Sequence, residues 1–156
     1  MSKLDVALQE PVYSTVYRVI YGDTDAAGVV YNANYLRYFE IARTEMMREA
    51  GMSYRAIEDL DCILPVTETY LRFKAPAHYD DLLQLSASLA EISRVSCRFH
   101  YAIHKDETNG RRSLLVKGFT THACVSRQGK LTPFPAEVME VITSLLGKSD
   151  TVQDKG

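Results

Sequence analysis

Two aspartates, Asp23 and Asp25, lie two residues apart in the run GDTDAAGVVYNANY, directly before a long segment with helical periodicity. A helix start presents unpaired N–H groups and a partial positive charge, which suit a carbonyl oxygen as it becomes an oxyanion. A carboxylate beside that start can act on the same carbonyl as nucleophile or general base. Such aspartates also hydrogen-bond their own backbone in turns, with Gly28 supplying only a positive φ. Composition alone leaves both readings open.

Other catalytic signatures are missing from the sequence. It contains no G-x-S-x-G, H-E-x-x-H, G-x-x-x-x-G-K-[ST] or G-x-G-x-x-G pattern. Cys62, Cys97 and Cys124 are odd in number and far apart in the chain, so we expect buried thiols rather than disulfides or a metal knuckle. His100 and His104 lie on a predicted strand, which puts their rings ~13 Å apart. We therefore predict no metal site.

Length and charge limit the class of protein. The chain has 156 residues, 46% of them hydrophobic, and a formal net charge of −2. These values predict one globular domain with no general attraction to nucleic acid and no membrane insertion. The polar start lacks the regions of a signal peptide, so we expect a cytoplasmic protein. We divide the chain into an N-terminal extension (1–11), one domain (12–147) and a frayed polar tail (148–156).

Hydrophobic periodicity predicts a strand, a long helix, a short helix, four more strands and a last helix. The long helix runs for about seventeen residues, with Asn32 as N-cap, Ala33 at the first helical position and Gly51 as the stop. The strands are 12–21, 62–74, 81–92, 93–105 and 111–127, and the other helices are 53–60 and 135–147. Asn109–Gly110 marks a hairpin turn between the last two strands.

This order predicts an α+β fold in which a five-stranded antiparallel sheet curls around the long helix. The first strand is apolar on both faces, so a monomer would expose apolar surface and association is implied. Along the helix, Leu36, Phe39, Met46 and Met47 form a stripe that is either core or the wall of an acyl pocket. The same ambiguity holds for Tyr35 and Tyr38.

The run from Tyr21 to Gly51 resembles the signature of the 4-hydroxybenzoyl-CoA thioesterase family of hotdog-fold proteins. Within that family it looks like the bacterial acyl-CoA thioesterase subgroup often encoded beside the Tol–Pal envelope system. The segment RFKAPAHYDDLLQLSASL resembles the family's second-to-third strand region. The resemblance implies a hotdog fold, hydrolysis of an acyl-CoA thioester without a metal or redox cofactor, and a site between the subunits of a homodimer or homotetramer.

The resemblance also implies roles for single residues. The second aspartate of the pattern is the family's catalytic carboxylate, which falls on Asp25, and Asp23 then supports the loop. The family polarises the thioester carbonyl with a backbone N–H at the helix start, which maps to Asn32 with Tyr31 beside it. The subgroup usually carries histidine where this chain has Asn32, and an asparagine cannot take up protons as an imidazole does.

Coenzyme A, which is part of the substrate, needs cationic or hydroxyl partners for its phosphates. The candidates are Lys74, Arg94 and Lys117 for the charge and Ser93 and Ser96 for the hydroxyls. We prefer Arg94, because the family's nucleotide lies near the turn between the third and fourth strands. Some hotdog thioesterases use a glutamate on the helix, but we expect Glu40 to form an ion pair with Arg43 instead.

Two other functions remain open. A hotdog hydratase or dehydratase would pair an acidic residue with a histidine, and the loop offers none. A non-catalytic protein that binds acyl-CoA or an acyl carrier would keep the fold without turnover. An acyl carrier protein would need a concentrated basic docking patch, which the sequence does not show.

Overall fold

One antiparallel sheet and one long helix make up most of the structure. The computed structural model describes residues 6–147. The strands are β1 (Tyr13–Arg18), β2 (Val66–Phe73), β3 (Leu82–Ile92), β4 (Ser96–Asp106) and β5 (Arg112–Ala123). The helices are α1 (Asn34–Glu49), α2 (Tyr54–Asp59) and α3 (Ala136–Thr143). A single 3-10 turn, Tyr21–Asp23, follows β1. The predicted α+β class is confirmed.

The strand order in the sheet is β1-β3-β4-β5-β2, with every pair antiparallel. The later strands β3, β4 and β5 are neighbours in chain order, whereas β2 does not lie beside β3. That strand pairs with β5 at the far edge, because β1 occupies the edge beside β3. The boundaries also move inward. β1 ends before the 3-10 turn, and residues 93–95 form a turn instead of the start of β4.

Helix α1 packs across the concave face of the sheet, as expected. Phe39 stacks flat on Tyr101 of β4, with ring centroids 4.3 Å apart and the planes 7° apart. Gly118 of β5 lets this pair lie close to the sheet, since a Cβ there would come within 3.1 Å of the Phe39 ring and 2.0 Å of a β2 carbonyl oxygen. Of the stripe expected on the helix, Phe39, Met46 and Met47 are core, whereas Leu36 is exposed.

The start of α1 differs from the prediction. The helix begins at Asn34, and Ala33 precedes it without a side-chain cap, so Asn32 is not the N-cap. The reason is a turn before the helix, in which the Asn34 amide donates to the Tyr31 carbonyl. Gly51 ends the helix as expected, with a φ of +115°.

The three cysteines are free and buried, as expected. Their separation in the chain is misleading, however, because the Sγ atoms of Cys62 and Cys124 lie 3.0 Å apart. Of the predicted extension, the described part lies on the convex face of the sheet. There the Ala7 carbonyl contacts His100, and the Gln9 amide donates to Ser88. The predicted polar tail lies outside the described residues.

Strand β2 forms an open edge of the sheet. Six of its eight residues are exposed. Unpaired edge strands invite pairing with another chain, so this edge is a candidate interface.

Candidate active site

The carboxylate of Asp23 organises the loop between β1 and α1. It is almost fully buried and accepts hydrogen bonds from the hydroxyls of Tyr17 at 2.7 Å and Tyr38 at 2.9 Å. The Arg37 guanidinium forms an ion pair with its other oxygen and lies over both tyrosine rings. The loop is therefore tied to β1 and to the first two turns of α1.

The charge state of Asp23 follows from these contacts. Burial opposes ionisation, but hydrogen bonds from Tyr17, Tyr38 and the Ile20 amide, together with the charge of Arg37, outweigh it. The pKa of Asp23 therefore lies below its usual range, and the residue stays ionised at neutral pH. Burial and the hydrogen bond to Asp23 raise the pKa of Tyr38 far above its ordinary value. Asp23 thus has the supporting contacts that we expected of it.

Asp25 lies two residues further on and is exposed. Its Oδ1 accepts a hydrogen bond of 2.9 Å from the Ala27 amide, which closes a turn of the kind that the sequence left open as an alternative role. Its own amide donates to the Val29 carbonyl, and Gly28 has a φ of +86°. This geometry fixes one carboxylate oxygen. The other, Oδ2, makes no hydrogen bond among residues 6–147, so it is open to a reactant.

The start of α1 presents two open amides. The Tyr31 amide donates to the Asp23 carbonyl, and the Asn34 amide to the Tyr31 carbonyl. Within the described part of the chain, the amides of Asn32 and Ala33 have no acceptor. They are the donors that this helix start offers to a carbonyl oxygen. Asn32 is one of the residues expected here, and the Ala33 amide was missed. Tyr31 contributes a backbone bond to the loop, while its side chain is exposed.

A cleft of about 260 Å³ opens between this helix start and the end of β2. Its lining residues are Val29, Val30, Asn32, Tyr35, Phe73, Lys74, Ala75 and Pro76. The wall is mostly apolar, and Tyr35 meets Phe73 edge to face at 5.6 Å. Asn32 and Lys74, two of the predicted site residues, thus lie at the same cleft. Asp25 does not line it within a single chain.

The turn between β3 and β4 lies elsewhere. The hydroxyls of Ser93 and Ser96 are 2.8 Å apart, and both residues are used in forming the turn itself. Arg94 is exposed beside them. Cross-strand pairing through β5 and β4 places Phe73, at the cleft, level with Leu85 of β3. The turn follows Ile92, seven residues or ~23 Å further along β3. Lys117 lies on β5 opposite Arg72. Of the predicted coenzyme A contacts, only Lys74 therefore lies at the cleft.

The expected ion pair between Glu40 and Arg43 is wrong. Arg43 turns into the core, where it donates to the hydroxyls of Tyr54 at 2.9 Å and Tyr101 at 3.2 Å. Glu40 is exposed and takes part in none of the ion pairs among the described residues. The i,i+3 spacing permits the pair, but burial of the Arg43 stem favours the tyrosines.

No group of three His, Cys, Asp or Glu side chains within residues 6–147 is arranged to hold a metal ion. No helix in the same range is long and apolar enough to span a membrane.

Sequence reasoning missed two contacts at the site, those of Arg37 with Asp23 and of Asn34 with the Asp23 carbonyl. Arg37 and Tyr38 lie three and four residues after Asn34 and so share one face of the helix with it, but no sequence pattern named their partners. The geometry as a whole, a sheet wrapped around a helix with a carboxylate loop and open amides at the helix start, is that of a hotdog protein suited to acyl transfer.

Known proteins resemble this chain in sequence and in fold. The sequence matches the thioesterase-like superfamily over residues 19–142. It is 34% identical to acyl-CoA thioester hydrolase YbgC of Escherichia coli over 108 residues, which cover 69% of this chain and 78% of that protein. It is 33% identical to acyl-CoA thioesterase YbgC of Haemophilus influenzae over 129 residues, covering 81% and 90% of the two chains.

Among solved structures, a 1,4-dihydroxy-2-naphthoyl-CoA thioesterase from Synechocystis matches with a TM-score of 0.75 and 27% identity, covering 86% of this chain and 97% of that one. The chain belongs to the thioesterase-like superfamily and has its hotdog fold.

Proposed function

We propose that this protein hydrolyses an acyl-CoA thioester to a carboxylic acid and free coenzyme A. The observation that carries the proposal is that the loop and the start of α1 offer a carboxylate oxygen, Asp25 Oδ2, and two amides, those of Asn32 and Ala33, that have no hydrogen-bond partner among residues 6–147. The two YbgC relatives are named for this activity.

The reaction needs few groups. The amides of Asn32 and Ala33 stabilise the negative charge that develops on the carbonyl oxygen. Asp25 either attacks the carbonyl carbon, breaking the C–S bond to give an anhydride that water then opens, or takes a proton from the attacking water. In both routes the sulfur leaves as a thiolate and is then protonated. Because a thiol has a pKa of only ~8.5, its departure needs little acid assistance. No metal or redox cofactor enters either route.

For the coenzyme A portion we keep two sets of candidate contacts. Lys74 lies at the cleft, where it can meet the substrate directly. Arg94, Ser93, Ser96 and Lys117 stay candidates for the nucleotide end. The ~23 Å that separates the 93–96 turn from the cleft along β3 argues against their joint use within one chain.

A second copy of the chain would place its own 93–96 turn nearer the cleft. We propose a dimer in which the exposed β2 edges pair across a two-fold axis. Antiparallel pairing of the two β2 strands places opposite ends of the two sheets side by side. The 93–96 turn of one copy then lies on the same side as the cleft of the other. The second copy would also enclose Asp25, which is exposed in the single chain. A tetramer would add contacts beyond this pair.

We also propose that the protein belongs to the Tol–Pal-associated subgroup, on its sequence signature, and that it is cytoplasmic, as its composition predicts. The departure at Asn32 does not affect the proposed mechanism, since its backbone amide is independent of the side chain.

The test is release of free thiol from a panel of short, long, branched and aromatic acyl-CoAs. We expect the wild-type protein to release thiol, and Asp25→Asn to lose turnover by about 10³-fold or more while remaining a folded oligomer. Asp59→Asn, an exposed change on α2, is the matched control and should keep full turnover. Light scattering on the same samples gives the oligomeric state.

Four results would contradict the proposal. Near-normal turnover by a folded Asp25→Asn protein removes the catalytic assignment, and full turnover by a monomer removes the dimeric site. Formation of a hydroxyacyl or enoyl thioester without free thiol would instead indicate a hydratase or dehydratase. Binding of acyl-CoA by both wild type and Asp25→Asn, without thiol release by either, would indicate a non-catalytic binding protein.

A further inference from the structure

Asn34 uses its side chain in an unexpected direction. Asn34 is the first residue of α1, directly after Ala33 at the cap position. Its Nδ2 donates a hydrogen bond of 2.8 Å to the backbone carbonyl of Asp23, eleven residues earlier in the chain. The contact joins the first residue of the helix to the loop that carries the proposed catalytic carboxylate.

The same carbonyl oxygen accepts a second hydrogen bond, of 2.9 Å, from the Tyr31 amide. Tyr31 and Asn34 immediately flank Asn32 and Ala33, the two residues whose amides have no acceptor among residues 6–147. The segment with the open amides is therefore held at both ends by one oxygen atom.

That oxygen has little freedom to move. It belongs to Asp23, whose side chain is fixed by Tyr17, Tyr38 and Arg37. Asp25 follows two residues later and is held by its own turn and by its amide bond to Val29. The Asp23 carbonyl is thus a common reference point for the carboxylate on one side and the open amides on the other.

We propose that Asn34 is a positioning residue, whose carboxamide holds the amides of Asn32 and Ala33 in register with the Asp25 carboxylate. The inference rests on the proposed function. Loss of the Asn34 contact leaves the Tyr31 amide as the only donor to the Asp23 carbonyl among residues 6–147, so the amides of Asn32 and Ala33 can turn away from the substrate carbonyl oxygen. A misplacement of ~1 Å in such a site can lower the rate by on the order of 100-fold.

The experiment compares Asn34→Asp and Asn34→Ala with wild type. The aspartate has nearly the same shape as asparagine but lacks the donor, and a negative charge at a helix start favours folding. Alanine removes the donor without adding charge. We expect kcat to fall about 10- to 100-fold in both variants, with KM changed less than about threefold. Glu49→Gln, an exposed change at the other end of α1, is the control and should leave both constants unchanged.

A double-mutant cycle separates positioning from general structural support. If Asn34 acts by aligning the amides with Asp25, Asn34→Ala should cost less than about twofold in an Asp25→Asn background. A residue that only supports the fold would cost the same factor in both backgrounds. Equal losses in the two backgrounds, or a change confined to KM, would therefore overturn the inference.

The result also separates this inference from the proposed function. Wild-type turnover that both Asn34 variants match refutes the positioning role alone. A wild-type protein that releases no thiol from any acyl-CoA refutes the proposed function, and the positioning role with it.

Discussion

A chain of hydrogen bonds in the core makes the stability of this protein depend on a neutral His122. Arg43 donates to the Tyr101 oxygen at 3.2 Å, and the oxygens of Tyr101 and Thr120 lie 2.6 Å apart. Thr120 lies 2.8 Å from His122 Nε2, while His122 Nδ1 lies 3.0 Å from the Leu64 carbonyl. Because that carbonyl can only accept, Nδ1 carries the hydrogen and Nε2 accepts from Thr120. Protonation of Nε2 would break this chain.

The pKa of His122 reflects this environment. Burial, and then the charge of Arg43, lower it to about 4, against the partial opposition of the hydrogen bond to Leu64. An unfolded histidine has a pKa of ~6.5, so below that pH the unfolded chain takes up a proton that the folded chain excludes. The contribution of neutral His122 to the free energy of unfolding is therefore fully present above about pH 6.5 and is lost as the pH drops toward 4. The loss is ~2 kcal/mol at pH 5 and approaches ~3 kcal/mol below pH 4.

The perturbation is His122→Gln, which keeps an acceptor for Thr120 and a donor for Leu64 but does not titrate. Urea unfolding at pH 8 and pH 5, followed by far-UV circular dichroism at one protein concentration, gives the free energy of unfolding of each protein. We expect wild type to lose about 2 kcal/mol more than the variant between these pH values. His78→Gln, which removes an exposed imidazole, controls for the loss of a histidine. Equal losses in wild type and His122→Gln would refute the reasoning.

Two further predictions concern the loop and the sheet. Asp23→Asn should lower the free energy of unfolding by on the order of 2 kcal/mol at pH 7. Because the folded pKa of Asp23 is depressed, its contribution to stability is present above about pH 4 and is lost as the pH falls further. The change in the free energy of unfolding between pH 7 and pH 3, measured by urea unfolding, should therefore be smaller in the variant than in wild type. Gly118→Ala should destabilise the protein by ~3 kcal/mol or more, because its Cβ would meet the Tyr70 carbonyl oxygen at 2.0 Å, and thermal unfolding measures this. A variant as stable as wild type would contradict the close approach of β2 to β5.

The parts of the site that are local in sequence could be predicted from it. The order of aspartates, glycine and helix lies within about thirty residues, and the periodicity of α1 is strong enough to place its N-terminal end within two positions. The predicted cap, Asn32, was wrong, because a turn from the Tyr31 carbonyl to the Asn34 amide moves the helix start to Asn34 and leaves Ala33 at the cap position. Propensity rules do not contain that turn.

The contacts that depend on strand order could not be predicted. Lys74 reaches the cleft because β2 lies at the sheet edge beside β5, and Arg94 lies far from it because β3 runs the full length of the sheet. Neither fact has a signature in the residues themselves. The Arg43 contacts belong to the same group, since α2 brings Tyr54 over the helix. In each case a long-range packing choice decided between partners that the sequence allowed equally.

The exposure of Asp25 connects the fold to the proposed dimer. A carboxylate in open water is solvated by it, and an oxyanion formed there would be stabilised by water rather than by two amides. Closing the site raises the strength of both interactions, since the local dielectric falls when water is excluded. The single chain supplies the carboxylate, the amides and one apolar wall, but nothing in residues 6–147 covers the Asp25 side chain. The open β2 edge lies beside the cleft, because Phe73 ends that strand and lines the wall. A partner that pairs with this edge would therefore enclose the site by the same contact that buries the exposed strand, which makes assembly and catalysis two consequences of one interface.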